Sequence, residues 1–165
     1  MKQKRILVIS FLAAVYIGCL HGETVTSATT VLPSPTKFFS TFSLLDSIGK
    51  QRAGMCSGMA IGSTSKPEDD GVRRRRSDSF GCGVNDTGDK FKEKEKAFLE
   101  SLKSYVEKEI TESGAKVVGT GHAFPAGFYF EYAEGDVEGR IEFISKLSSD
   151  NYYFLSAALV ERSKD

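Results

Sequence analysis

The chain is 165 residues long, room for one domain once non-globular stretches are set aside. It is 40% hydrophobic and 27% charged, so a packed core is within reach, and its 22 basic and 22 acidic side chains cancel. Residues 1–22 hold Lys2, Lys4 and Arg5 and no acid, which leaves residues 23–165 with 19 basic against 22 acidic side chains, a net of −3. That balance gives no general footing for nucleic acid, whose backbone demands a clustered positive surface.

The N-terminus reads as an address. Met1–Arg5 is a basic head, and Ile6–Leu20 is a run of fifteen residues without a charge, closed by His21 and Glu23. A membrane-spanning helix needs about 20 apolar residues, so residues 1–22 are expected to be a signal peptide rather than an anchor. Gly22 and Ala28 are small residues that suit a cut. Tyr16-Ile17-Gly18-Cys19 also fits part of a lipobox, in which Cys19 would be acylated; otherwise Cys19 is discarded with the signal. Either fate leaves Cys56 and Cys82, an even pair expected to form a disulfide in an oxidising compartment.

Residues 23–89 are expected to be a tether, a short helix and a low-complexity linker. Ser34-Pro35 resembles a helix start, and Phe38, Phe42 and Leu45 recur at helical spacing, which predicts an amphipathic helix over about 35–48. From Lys50 to Asp89, glycine, serine and charge dominate, and the segment reads as a loose linker stapled by its cysteines. Arg73–Arg76 is the one dense basic run, with Glu68, Asp69, Asp70 and Asp78 around it. It reads as a solvated charge block or, in a eukaryotic secretory protein, a processing site, with Asn85-Asp86-Thr87 then a glycosylation acceptor at Asn85.

Residues 90–165 carry the domain. Phe91, Phe98, Leu102, Tyr105, Val106 and Ile110 share one helical face, predicting a helix over 90–113 with Asp89 as its cap. Lys96 with Glu100, and Lys103 with Glu107, are spaced for surface ion pairs. The period then switches to two, predicting strands over about 116–124, 127–133, 137–145 and 152–161. The last is apolar on both faces and is expected to be covered on both. The fold class is therefore α+β, with one long helix packed on a four-stranded antiparallel meander, preceded by signal peptide, short helix and flexible linker. That arrangement resembles the topology of cystatin-type inhibitors, with Lys116-Val117-Val118-Gly119 where their hairpin would lie. Their glutamine-initiated motif is missing, so the resemblance implies topology and no activity.

Chemistry is sparse. His122 is the one histidine left after signal removal, and no Gly-x-Ser-x-Gly turn exists to serve it. Glu131, Glu134, Asp136, Glu138 and Glu142 cluster on one hairpin, where they could hold calcium or act as acid and base, or simply face solvent. No cofactor motif is present. Tyr129 and Tyr153, with Arg140, are the candidate exposed binding residues on an aromatic-rich sheet. The leading expectation is an exported non-enzymatic module that binds a protein, glycan or lipid on its open sheet face. It touches a membrane only through a signal or lipid anchor. The alternatives are a small hydrolase using His122 with the acidic hairpin, and an adhesive lipoprotein tethered at Cys19.

Overall fold

A computed structural model describes residues 31–51, 55–57 and 60–164; the expected signal peptide and most of the tether lie outside them. Two short helices, α1 (Lys37–Thr41) and α2 (Leu44–Gln51), lead into strands β1 (Ala60–Thr64), β2 (Glu68–Asp69) and β3 (Arg73–Gly83). The long helix α3 (Gly88–Glu112) follows, then β4 (Lys116–His122), β5 (Gly127–Glu134), β6 (Val137–Leu147) and β7 (Tyr152–Ser163).

The strands form one antiparallel sheet in the order β1-β3-β7-β6-β5-β4, with β2 beside β3. The expected four-stranded meander is thus overturned. The sheet has seven strands, and three of them come from the stretch read as linker. β3 pairs with β7 over eleven positions, from Arg73 opposite Arg162 to Gly83 opposite Tyr152. Tight connections set the rest of the register: between β5 and β6 only Gly135 and Asp136 intervene, and Gly135 takes the left-handed φ of 56° that such a turn requires.

One face of the sheet carries the core. On α3, Phe91, Phe98, Leu102, Val106 and Ile110 are all buried, as their 3.6-residue period demands. They meet the inward residues of the strands: Phe128, Phe130 and Tyr132 of β5, Ile141 and Phe143 of β6, and Tyr153, Leu155, Ala157 and Leu159 of β7. Phe128 stacks on Phe143 with centroids 4.6 Å apart, and Phe38 meets Tyr132 edge-on at 5.0 Å.

The expected single helix over 35–48 is two helices. Thr36, not Ser34, caps α1, its hydroxyl oxygen accepting from the Phe39 amide at 3.0 Å. Phe42 then turns extended, because β3 satisfies the backbone groups freed by the break. Arg76 donates to the Phe42 carbonyl at 2.5 Å, and the Asp78 carboxylate accepts from the Leu44 amide at 3.1 Å. Thr87 stands at the N-cap of α3, and Asp89 sits within its first turn. Cys56 and Cys82 are bridged, their Cα atoms 5.7 Å apart. The disulfide staples the α2–β1 segment to β3 and fits an oxidising compartment.

Candidate binding surface

Burial alternates strictly along β7: Tyr153, Leu155, Ala157, Leu159 and Glu161 are inside, while Phe154, Ser156, Ala158, Val160 and Arg162 are exposed. The expectation that this strand is covered on both faces is corrected. The three helices pack on the inner face, and the outer face is open among the described residues.

Register places the outer side chains in rows across the sheet. Gly81, Phe154 and Lys146 form one, Ser79, Ser156 and Ile144 the next, then Ser77, Ala158, Glu142 and Tyr129. Beyond them run Arg75, Val160, Arg140 and Glu131, and last Arg73, Arg162 and Glu138. One end of the face is therefore apolar. Tyr152 and Phe154 rest 4.7 Å apart, Phe154 is 49% exposed, and Ile61 and Ile144 stand exposed beside them. The backbone of Gly81 lies under Tyr152, where a Cβ would come within 2.6 Å of the ring. The other end is a charge lattice around a trough of about 610 Å³ lined by Val72, Val118 and Val160 among arginines and glutamates. Arg140 pairs with Glu131 at 3.4 Å and Glu142 at 3.2 Å, Arg162 with Glu138 at 3.2 Å, and Arg73 with Asp70 at 3.2 Å.

Two glycines in β4 shape this end. A Cβ on Gly121 would sit 2.7 Å from the Tyr129 ring, and one on Gly119 would sit 2.6 Å from the Glu131 carboxylate. Their absence lets Tyr129 and Glu131 lie flat across the edge strand. The Arg140 guanidinium closes over the Tyr129 ring at 3.8 Å. Tyr129 and Arg140 are thus brought together as one half-buried unit, and the ring is occupied from within.

Tyr153 lies on the opposite face. It is 0% exposed and packs between Phe91 and Phe98 of α3, so its expected place on the binding surface is corrected. Burial, reinforced by the Glu95 charge, pushes its phenol pKa up. The register explains the misplacement, since Tyr152 and Phe154 are the outward aromatics.

The residues of the hydrolase alternative are not assembled. His122 pairs with Phe128 at the end of β4 remote from the Gly135-Asp136 turn, and it sits on the helix side of the sheet. Glu131, Glu138 and Glu142 are on the outer side in ion pairs with arginine. No group of three His, Cys, Asp or Glu able to hold a metal is present among the described residues, and no helix there is long and apolar enough to cross a membrane. Asn85 is exposed in the loop before α3, and Cys19 lies outside the described residues.

The inner face holds a charged constellation that composition hid. Arg74, Asp78 and Glu161 are all buried, and Arg76 nearly so. Glu161 accepts from the hydroxyl of Thr36, from the Thr36 amide at 3.3 Å and from the Tyr132 hydroxyl at 3.0 Å; Arg74 pairs with it at 3.5 Å and also donates to the Pro33 carbonyl. Asp78 pairs with Arg76 at 3.6 Å, and Arg76 lies 5.6 Å from the Phe39 ring. Burial raises the pKa of Glu161 above the ordinary glutamate value, against its hydrogen bonds and Arg74, and burial beside that carboxylate raises the Tyr132 phenol likewise. Both carboxylate oxygens of Glu161 are engaged by the protein's own donors, so this constellation clamps the segment Pro33–Leu44 onto the sheet and offers no place for a substrate. Arg73–Arg76 is accordingly not a solvated block. Its alternate members point inward, a period of two continued by Asp78, Phe80 and Cys82.

The chain matches no protein-family model, no curated protein and no solved structure.

Proposed function

We propose that this chain is an exported, non-enzymatic module that docks a partner protein on the open outer face of its sheet. The observation that carries the reading is the uncovered apolar end of that face, Tyr152, Phe154, Ile61 and Ile144, set beside a lattice of arginines and glutamates. Antiparallel sheets with one wet face normally alternate to polar residues there. A ring of charge around exposed aromatic and aliphatic groups is the composition of protein interfaces, with Tyr and Arg among the usual anchors. A glycan is the weaker reading, because the Tyr129 ring a sugar would stack on already lies between Gly121 and Arg140. Export rests on the basic head and apolar run of residues 1–20, and the disulfide is consistent with it.

Site-specific photocrosslinking tests the docking. A photoreactive residue at Ser156, in the middle of the outer face, should trap one discrete protein in the producing cell's envelope or medium. The same residue at Glu107 on α3 should not. Tyr152→Ser with Phe154→Ser should abolish the adduct and leave the melting temperature unchanged. No adduct from Ser156, or one indifferent to the double substitution, would overturn the reading. Recovery of the intact polypeptide from the cytosol, with Met1 retained and all three thiols reduced, would overturn export.

A further inference from the structure

On the other side of the sheet, α3 and the hairpin of β4 and β5 diverge around a cleft of about 300 Å³. Its floor is apolar: half-buried Leu99 and buried Phe128. Its rim carries Lys92, Lys96 and Lys103 from α3, at positions that recur on one side of a helix, with Glu95 and Glu100 between them and His122 from β4 opposite.

The lysines are not occupied as their spacing suggests. Glu100 and Glu107 stand four residues after Lys96 and Lys103, yet among the described residues neither lysine has a carboxylate within 4 Å. Lys103 instead leans toward the Phe130 ring, 6.0 Å from its centroid. Lys92 is held by Asp89 at 3.2 Å. Of the two acids that face the cleft, Glu95 is engaged by the Ser145 hydroxyl at 2.8 Å, and Glu100 stays on the exposed side of the rim. Lys96 and Lys103, cations with no carboxylate within 4 Å among the described residues, therefore border an apolar floor.

We infer that this cleft is a binding site for a single-chain amphiphile with a carboxylate head, its chain against Leu99 and Phe128 and its head between Lys96 and Lys103. The volume, about 300 Å³, stands at the lower end of the range for ligand pockets and suits a single chain. The site is independent of the outer face, so either can fail alone.

Octanoate, decanoate and dodecanoate, titrated below their micelle concentrations into the full mature protein, test it by calorimetry and by backbone amide shifts. Affinity should tighten about three- to fourfold per added methylene until the cleft is full. Amides of Leu99, His122 and Phe128 should shift, and dodecyltrimethylammonium should bind at least tenfold more weakly. Lys96→Gln with Lys103→Gln, which removes both charges without adding acids to the helix, should cost at least tenfold in dodecanoate affinity while the free protein keeps its native amide spectrum. Equal binding of the cationic amphiphile, retention of affinity in the double variant, or shifts confined to Tyr152 and Phe154 would each overturn the assignment.

Discussion

Glu161 is 0% exposed, and four donor groups from three residues converge on it: the hydroxyl and amide of Thr36, the Tyr132 hydroxyl and the Arg74 guanidinium. Removing one member of such a set strands the others, and an uncompensated buried charge costs about 3–5 kcal/mol. Glu161→Ala should therefore destabilise the fold by about that amount in denaturant melts. Glu161→Gln, which keeps the shape and one acceptor, should cost less. The pH dependence follows from the direction of the shift. Burial holds the folded-state pKa above the ordinary value of 4.5, so the folded protein binds this proton more tightly than the unfolded chain. The stabilisation this confers is complete below 4.5 and is lost as pH rises through the folded-state value. The stability gap between the native protein and Glu161→Gln should thus narrow as pH is raised from 4.5 toward neutrality; a gap that is constant or widens would refute the assignment.

Among the elements, β3 is the one the sequence concealed. Its inward positions are Arg74, Arg76, Asp78, Phe80 and Cys82, so a test that asks only for apolar alternation passes over it. Charge enters the core here because partners lie far along the chain: Arg74 meets Glu161, and Arg76 reaches the Phe42 carbonyl. Long-range pairing of that kind leaves no local trace. α3 and the four strands after it were legible because their burial follows propensity and period within single segments. The short helix was legible in existence but not in its break, which depends on Arg76 and Asp78 from another element. The bridge between Cys56 and Cys82 spans a separation of 26 residues, for which the chain-entropy model gives about 3–4 kcal/mol. Replacing both cysteines by serine should lower stability by that amount, and a reductant should lower the native protein's melting temperature while leaving the variant's unchanged.

At the scale of the whole molecule, a seven-stranded sheet carries its helices on one side and leaves the other wet. Which aromatics face which side is a matter of register, and a one-residue difference exchanges Tyr153 for Tyr152 and Phe154. Of the residues the sequence offered for binding, Tyr129 and Arg140 lie on the outer face and Tyr153 lies inside. The outer trough was not legible at all, because Arg73 and Val118 reach it only when β3 and β4 are placed on opposite flanks of the sheet.

The exposed hairpin from Ser65 to Val72 lies inside the loop that Cys56 and Cys82 close. Trypsin does not cut Lys66 before Pro67, so the nearest scissile bond follows Arg73, at the hairpin's base. A single nick at Arg73 would still leave two polypeptides travelling as one body. Electrophoresis of the clipped material should show one species until thiol is added, then two. Trimming by a secretory protease would accordingly change the number of chain ends without shedding a fragment.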